Sequence, residues 1–272
     1  MTATTPRGFV ALVGAGPGDP ELLTIRAARR LEEADLVLYD ALVPAEVVAE
    51  ARRAQRFCVG KRAGRKAVAQ ETIHRLLIRG ARQGKRVVRL KGGDPFVLGR
   101  GGEEALALRA AGVPFEVVPG VTSVVAAPQA AGIPITHRGL ASGFVVLSGH
   151  AGASFRPLVE TLAPNALTVV VLMGLRARAR IAAALLEAGW RRDTPAAVVL
   201  AASRPEMQQW VGRLDDLGDA PLDGGDAPGT IVIGDVVGLG ALTAGGGAMH
   251  GRGTTMVASE VPLVRSLSET GR

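Results

Sequence analysis

Apolar residues recur along the chain in two patterns, and together they predict alternating strands and helices. Short apolar runs such as Phe9–Val13 and Val87–Leu90 are typical of buried strands. Spacings of three and four residues in Glu21–Glu33 and Gln70–Gln83 indicate helices with one apolar face. Because strand and helix signals alternate from residue 9 onward, the sequence predicts an α/β fold built on a mainly parallel sheet.

A change of sequence composition in the middle of the chain predicts two domains. Around Gly132–Ser142 the periodic signals give way to a segment that contains Gly, Pro and Thr, and a second series of strand and helix signals follows. We therefore expect an N-terminal α/β domain over residues 9–136 and a C-terminal α/β domain over residues 142–240. Beyond Gly240 the chain is rich in Gly, Ser and Thr without periodicity, which predicts a flexible tail over residues 244–272.

Composition narrows the class of function. Of the 272 residues, 47% are hydrophobic but only 3% are aromatic, which disfavours a module that stacks nucleic-acid bases. The net charge of +7 comes from dispersed arginines, which suit a small anionic substrate better than a nucleic acid. The single cysteine, Cys58, belongs to no cluster with metal-ligand spacing, so we expect no metal. Without a signal peptide or a membrane-spanning apolar run, a cytoplasmic protein with no membrane partner is expected.

Two glycine-rich turns follow predicted strands, at the edge of a parallel sheet where ligands bind. The first, Gly14–Asp19, departs from the dinucleotide pattern because Asp19 stands where the third glycine belongs and would repel a pyrophosphate. Pro17 also removes an N–H donor from that turn. In the second turn, Lys91–Pro95, Asp94 either caps the turn or contacts a ligand. The first turn therefore favours a ligand without phosphate groups, or a neutral or cationic group.

Two charged residues stand at neighbouring strand ends. Asp40 ends the second predicted strand, Leu36–Tyr39, and Lys61 follows the third, Phe57–Val59. Taken alone, each is typical of a solvated surface charge. Together at one rim of the sheet, they would supply a carboxylate and an ammonium group for proton transfer.

Further motifs extend along the chain from the first glycine turn. They are the segments Val13–Pro20, Tyr39–Asp40, Gly60–Arg62, Val88–Phe96, Gly99–Glu104, Val118–Ser123 and Gly132–Arg138. In order and spacing these motifs resemble the uroporphyrinogen-III C-methyltransferases of the tetrapyrrole methylase family, and the resemblance covers roughly residues 9–238.

This resemblance implies the tetrapyrrole methylase fold, with two α/β domains and an interdomain cleft, in a homodimer. It implies transfer of methyl groups from S-adenosylmethionine to carbons 2 and 7 of uroporphyrinogen III. The products would be S-adenosylhomocysteine and precorrin-2, which leads to sirohaem or cobalamin.

Residue roles follow from the resemblance position by position. Asp40 would be the proton acceptor and Lys61 the proton donor, while the tetrapyrrole carboxylates would meet Arg62, His137 and Arg138. The implied cofactor contacts are Pro17, Gly92, Gly93, Asp94, Val97, Thr122, Ser123, Met173, Ala202, Gly229 and Thr230. The chain departs from the family pattern at Lys66, Ala67, His74, Ala130, Leu172, Ser203 and Met207.

Three other interpretations stay open. An NAD-dependent oxidoreductase would share the glycine turn and the acidic strand end, but would have to bind NAD. A tetrapyrrole carrier on the same fold would bind without turnover. A related precorrin methyltransferase is also compatible, although such proteins usually match the Gly99–Glu104 segment less well.

Overall fold

The computed structural model describes residues 8–60, 68–150, 152–222, 225, 227–240 and 254–257. The chain divides into two compact units, Met1–Thr122 and Ser123–Arg272. Each unit is an α/β structure with its own sheet, as the alternating strand and helix signals predict.

The first unit contains a five-stranded parallel sheet with the order β3-β2-β4-β1-β5. Its strands are β1 (Phe9–Gly14), β2 (Leu36–Tyr39), β3 (Gln55–Cys58), β4 (Arg86–Lys91) and β5 (Phe115–Val118). Its α-helices are α1 (Ile25–Glu32), α2 (Ala45–Ala49), α3 (Gln70–Arg82) and α4 (Gly101–Ala110). Every strand pair in this sheet is parallel, which confirms the prediction for the first half of the chain.

Helices cover both faces of the first sheet. Helices α1 and α2 pack on one face, in a cluster that includes Val13 and Leu31. Helices α3 and α4 pack on the other face, with Leu12 and Leu77. The adjacent β1 residues Leu12 and Val13 lie on opposite faces because successive side chains of a strand point to alternate faces of the sheet. The chain therefore leaves the neighbouring strands β1 and β4 toward opposite faces. In open α/β sheets, ligands bind at the carboxyl ends of strands where the chain direction changes in this way.

The segment after β1 differs from its prediction. The apolar spacing predicts one helix over Glu21–Glu33, whereas Pro20–Leu22 is a separate 3-10 helix and α1 begins after Thr24. The Asp19 carboxylate accepts a backbone hydrogen bond of 2.8 Å within the 3-10 helix. The Thr24 hydroxyl caps α1 in the same way. Because each cap satisfies N–H groups that lack a partner in their helix, the two caps define two elements.

The second unit contains a mixed sheet with the order β11-β9-β8-β10-β7-β6. Strand β10 is antiparallel to β7 and β8, and β8 is antiparallel to β9, whereas β6 and β11 lie parallel to their neighbours. Its strands are β6 (Phe144–Ser148), β7 (Thr168–Leu172), β8 (Pro195–Leu200), β9 (Gln208–Arg213), β10 (Gly229–Ile233) and β11 (Thr254–Val257). Its α-helices are α5 (Ser123–Ala130), α6 (Gly152–Glu160) and α7 (Arg178–Glu187).

Helix α5 belongs to the second unit, although the sequence placed it in the domain 9–136. Its residue Ala127 clusters with Val199 and Val232 of the second sheet. The division between the units therefore falls before α5 rather than after residue 136, because the apolar surface of α5 packs on the second sheet.

One part of the predicted tail forms a strand. Residues Thr254–Val257 are β11, which pairs in parallel with β9. The other residues of the segment 244–272 lie outside the described part of the chain, so their flexibility stays a prediction.

Candidate active site

The loops that follow β1 and β4 are hydrogen-bonded to each other at the carboxyl edge of the first sheet. The Gly16 N–H donates to the Gly93 carbonyl over 3.2 Å, and the Gly93 N–H donates back to the Gly16 carbonyl over 2.8 Å. The Ala15 N–H donates to the Lys91 carbonyl over 2.7 Å. Gly16 and Gly93 have φ of +72° and +65°, a region that favours glycine. The two turns that the sequence identified separately are therefore one structure.

Close packing explains two further glycines at this edge. A Cβ built on Gly14 would lie 2.5 Å from the Gly120 nitrogen and 2.6 Å from the Gly93 carbonyl oxygen. A Cβ on Gly120 would lie 2.7 Å from the Gly14 Cα and would overlap the same Gly93 oxygen. The loops after β1, β4 and β5 therefore approach each other more closely than any side chain would permit.

Gly92 has a different environment. A Cβ built there meets nothing within 4 Å, and Gly92 is not among the residues with positive φ. It is also exposed. Neither packing nor backbone conformation within the described residues requires a glycine at this position. Its effect is to leave bare backbone that a ligand can approach closely.

Asp94 joins the second turn to the loop after β5. Its Oδ1 accepts a hydrogen bond from the Phe96 N–H over 2.8 Å, and its Oδ2 accepts one from the Gly120 N–H over 3.1 Å. This is the capping role that short acidic side chains commonly take in turns. Of the two interpretations left open by the sequence, the structure shows the cap, and a ligand contact would be an additional role.

The same edge carries the remaining first-unit residues that the sequence predicts as cofactor contacts. Pro17 is buried within the first turn. Val97 is partly buried, and its N–H donates to the Asp94 carbonyl over 3.4 Å. Thr122 ends the loop after β5 and is also partly buried. The carboxyl ends of β1, β4 and β5 thus bring all six of the first-unit positions to one edge of the sheet, because the three strands are neighbours and parallel.

A buried ionic network lies beside this edge, centred on the guanidinium of Arg89 on β4. Arg89 is 3% exposed and forms ion pairs with Asp40 and with Glu104, its Nε lying 2.9 Å from the Glu104 Oε1. Its Nη1 donates to the carbonyls of Leu38 and Leu90 over 3.3 and 3.2 Å. Glu104, on α4, has no exposed side-chain surface, whereas Asp40 keeps 32% of its side chain exposed. All three guanidinium nitrogens of Arg89 are thus hydrogen-bonded.

Lys91, two residues further along β4, completes the network with its Nζ 3.2 Å from the Glu104 carboxylate. Burial lowers the pKa of Lys91, the charge of Arg89 lowers it further, and attraction by Glu104 and Asp40 offsets this only in part. Burial also lowers the pKa of Arg89, but the charges and hydrogen bonds of Asp40 and Glu104 outweigh burial and raise it. Arg89 is therefore a permanent cation, whereas Lys91 is easier to deprotonate than an exposed lysine.

The lowered pKa of Lys91 makes stability depend on pH in the alkaline range. In the folded protein the pKa lies below the ordinary value of 10.5, so between the two values the unfolded chain binds more protons. The contribution of Lys91 to the free energy of unfolding must then rise with pH across that interval. Urea unfolding at about pH 8 and about pH 10 measures this effect. The free energy of unfolding of the wild type, relative to that of Lys91→Met, should be higher at the higher pH. A difference that stays constant or shrinks contradicts the assignment.

In the second unit, four of the predicted cofactor contacts collect at one edge of the sheet. Gly229 and Thr230 begin β10 and pair with the last residues of β8 and β7. Met173 directly follows β7, and Ala202 lies two residues after β8. Because β10 runs antiparallel to both strands, its first residues lie beside their carboxyl ends. Ser123, the fifth prediction for this unit, is the first residue of α5.

Unusual backbone conformations mark this edge. Met173, Ala201 and Ser203 have φ of +57°, +46° and +62°, although none is glycine. Such conformations cost about 1–3 kcal/mol each and are concentrated at functional sites. Met173 is 42% exposed, whereas Ala202 and Thr230 are buried. Of these three predicted contacts, Met173 is therefore the one whose side chain is accessible.

The predicted substrate contacts His137 and Arg138 lie on a tight turn before β6. His137 and Ala141 exchange two backbone hydrogen bonds of 3.0 Å, and Gly139 has φ of +85°. Arg138 is exposed beside Gly139. His137 is partly buried, and its Nδ1 has no hydrogen-bond partner among the described residues.

Other predicted residues fall outside this geometry. Lys61 and Arg62, as well as Lys66 and Ala67, lie outside the described residues. Within the described ranges, no group of three His, Cys, Asp or Glu side chains is placed to hold a metal ion. In the same ranges, no helix has the length and apolar character to cross a bilayer.

The ionic network was not predicted from the sequence, although a signal for it exists. Arg89 and Lys91 alternate with apolar residues in a strand that the pattern predicts to be buried. Residues two apart in a strand share a face, and buried cations require acidic partners. That reasoning would have directed attention to Glu104 in the following helix.

The chain belongs to the family of tetrapyrrole (corrin/porphyrin) methylases, which it matches over residues 10–218. Among its relatives is the uroporphyrinogen-III C-methyltransferase of Methanocaldococcus jannaschii, 44% identical over 234 residues, covering 85% of this chain and 97% of that protein. The siroheme synthase of Zymomonas mobilis is 47% identical over 235 residues, covering 86% of this chain and 50% of that protein. The chain thus spans about half the length of the siroheme synthases it matches.

Solved structures agree with this assignment. The uroporphyrin-III C-methyltransferase of Thermus thermophilus, crystallised with S-adenosylhomocysteine, is 47% identical with a TM-score of 0.72, covering 85% of this chain and 99% of that one. Another structure of the enzyme from the same organism gives a TM-score of 0.75 at 46% identity, covering 89% and 99% of the two chains. The family resemblance and the tetrapyrrole methylase fold are therefore confirmed, while the interdomain cleft stays a prediction.

Proposed function

We propose that this protein is an S-adenosylmethionine-dependent methyltransferase that methylates uroporphyrinogen III at carbons 2 and 7, giving precorrin-2 for sirohaem or cobalamin synthesis. The observation that carries the proposal is the match to the archaeal uroporphyrinogen-III C-methyltransferase along nearly its whole length. The chain also retains the glycine turns and Asp40, the residues that the chemistry would use. A cytoplasmic homodimer is the form that we expect to act.

The first unit has features that suit S-adenosylmethionine. The cofactor carries a sulfonium and no phosphate, so the carboxylate of Asp19 beside the first turn is acceptable where it would repel a dinucleotide. The bare backbone of Gly92 allows close approach. The homologous complex with S-adenosylhomocysteine supports the same cofactor. The proposed contacts are Pro17, Gly92, Gly93, Asp94, Val97 and Thr122 in the first unit, and Ser123, Met173, Ala202, Gly229 and Thr230 in the second.

In the proposed reaction, the protein itself forms no covalent bond to the cofactor or the substrate. A carbon–carbon bond forms between the pyrrole and the methyl group as the sulfur–methyl bond breaks, leaving S-adenosylhomocysteine. The main tasks of the residues are to position the reactants and to move protons. Asp40, partly exposed and held by Arg89, is the proposed acceptor of the proton lost by the substrate. Lys61 is the proposed donor, and Arg62, His137 and Arg138 would bind the substrate carboxylates.

Two measurements test this function. Calorimetry should detect S-adenosylhomocysteine binding, and incubation with S-adenosylmethionine and uroporphyrinogen III should give a product heavier by two CH2 units, because each methyl group gained is accompanied by the loss of a proton. Absence of cofactor binding would overturn the proposal. Binding of NAD in its place would favour the oxidoreductase, and tetrapyrrole binding without methyl transfer would favour a carrier. Methylation of a precorrin but not of uroporphyrinogen III would favour a related methyltransferase.

A conservative substitution at Gly92 tests the cofactor site in particular. We expect Gly92→Ala to weaken S-adenosylhomocysteine binding by about tenfold or more, because the added methyl occupies the surface that the cofactor would approach. The free energy of unfolding should change by less than about 0.5 kcal/mol, since the methyl meets no protein atom. Calorimetry and urea unfolding measure the two quantities.

Gly143→Ala is the matched control for this substitution. Gly143 also has open space around its Cβ position and no positive φ. It should leave both binding and stability unchanged. Unchanged cofactor affinity in Gly92→Ala would remove Gly92 from the proposed contacts.

A further inference from the structure

The position of Asp40 is set by a residue that neither solvent nor a ligand can readily reach. Arg89 is almost completely buried, so its guanidinium cannot itself be a surface for substrate. It contacts Asp40 through Nη2, on the side of the network where the Asp40 side chain is still 32% exposed. One end of the network is therefore accessible, and that end is the proposed proton acceptor.

The other end of the network is anchored in the interior. Glu104 is fully buried and receives hydrogen bonds from Arg89, from Lys91 over 3.2 Å and from Gln70 over 3.1 Å. Arg89 is also fastened by the carbonyls of β2 and β4. A planar guanidinium with each nitrogen bonded cannot turn without breaking several hydrogen bonds at once.

Backbone contacts hold Asp40 in the same place. Its N–H donates to the Leu90 carbonyl over 3.1 Å, so the residue is fixed to β4 beside Arg89. Leu38 and Arg89 are register partners in the pairing of β2 with β4. The side chain and the backbone of Asp40 are thus both tied to the strand that carries Arg89.

Stability alone does not account for a network of this kind. Desolvation of buried charges offsets much of their attraction, and apolar residues of similar volume are often equally stabilising. A buried ion pair that reaches a partly exposed carboxylate does, however, hold that carboxylate in one place. Functional groups need such support from residues behind them.

We infer that Arg89, anchored by Glu104, is a positioning residue that fixes the Asp40 carboxylate for proton acceptance. This inference rests on the proposed function, because Arg89 can position a proton acceptor only if Asp40 accepts the substrate proton. The contacts of Arg89 place it behind Asp40, so the inference requires that its effect on turnover depend on the Asp40 carboxylate.

A double-mutant cycle tests this dependence. Arg89→Met should lower kcat by about 10- to 100-fold, with KM and the Kd for S-adenosylhomocysteine changed by less than about threefold. In the Asp40→Asn background, the same substitution should lower kcat by less than about threefold further, because Arg89 then has no carboxylate to position. Equal losses in both backgrounds, or no loss in the wild-type background, would overturn the inference.

Two further variants guard against a simple folding defect. Glu104→Gln keeps the side-chain volume while weakening the anchor, and it should show the same dependence on Asp40 with a smaller loss of kcat. Arg86→Met is the control, since Arg86 lies on the same strand but its side chain is 63% exposed and forms an ion pair with Glu33 rather than with the network. It should keep wild-type kcat. If the wild type itself transfers no methyl group, the proposed function fails and this role of Arg89 fails with it. If the wild type is active but the losses of kcat from Arg89→Met and Asp40→Asn are additive, the role of Arg89 is wrong while the proposed function stands.

Discussion

Asp40→Asn should abolish most of the methyl transfer while leaving cofactor binding intact. Asparagine matches the shape of aspartate but cannot accept a proton at neutral pH, so kcat should fall by about 10²- to 10⁴-fold. The Kd for S-adenosylhomocysteine should remain within about twofold, because Asp40 is not among the proposed cofactor contacts. Steady-state turnover with uroporphyrinogen III and calorimetry measure the two effects.

The control for this variant is Asp216→Asn. Asp216 is an exposed carboxylate in a 3-10 helix of the second unit, away from the proposed proton-transfer group in sequence and unit. It should leave turnover and cofactor affinity unchanged. If Asp40→Asn retains a kcat within threefold of the wild type, Asp40 is not the proton acceptor. The fold and the proposed cofactor contacts do not depend on that result.

Gly120→Ala should be the most damaging of the small substitutions at the first-sheet edge. Its methyl group would lie 2.7 Å from the Gly14 Cα and would overlap the Gly93 carbonyl oxygen, both backbone atoms that cannot rotate away. The Gly120 N–H would also be pushed from the Asp94 carboxylate. We expect a loss of about 3 kcal/mol in the free energy of unfolding, toward the upper end of the range for overpacking.

Thermal and urea unfolding measure this loss. A decrease of about 3 kcal/mol corresponds to a fall in Tm of about 6–12 °C for a protein of this size. Gly14→Ala should cause a similar but smaller loss, since its Cβ would meet the backbone of Gly120 but would lie farther from the Gly93 carbonyl oxygen, at 2.6 Å. Gly143→Ala, which meets no neighbour, should change stability by less than about 0.5 kcal/mol. A loss below about 1 kcal/mol in Gly120→Ala would show that the three loops are not packed as closely as described.

Local sequence pattern predicted the elements of the first unit better than their arrangement. Buried strands such as Phe9–Gly14 are short apolar runs, and α3 has a clear apolar stripe, so both could be recognised without tertiary information. The order β3-β2-β4-β1-β5 depends on contacts between distant segments and was not predicted. Helix α5 is rich in small apolar residues with little polar contrast, so its sequence gives no indication of which sheet it covers.

The candidate site divides in the same way. The glycine turns and Asp40 stand at strand ends and could be named from position and residue type. Their connections could not, because the hydrogen bonds between Gly16 and Gly93 and the ion pairs of Arg89 join residues far apart in sequence. The apolar neighbours of Arg89 indicate that its strand is buried, but they do not identify Asp40 and Glu104 as its partners.

The joined turns have a consequence for the thermodynamics of ligand binding. Glycine-rich loops have high conformational entropy in the unfolded chain and are commonly assumed to move. Here reciprocal hydrogen bonds and backbone contacts join the loops after β1 and β4, so neither can shift without disrupting the other. Most of the entropy of ordering these glycines is therefore lost when the chain folds. A ligand that reaches Gly92 meets a surface already in place, and its affinity is not reduced by the need to organise it.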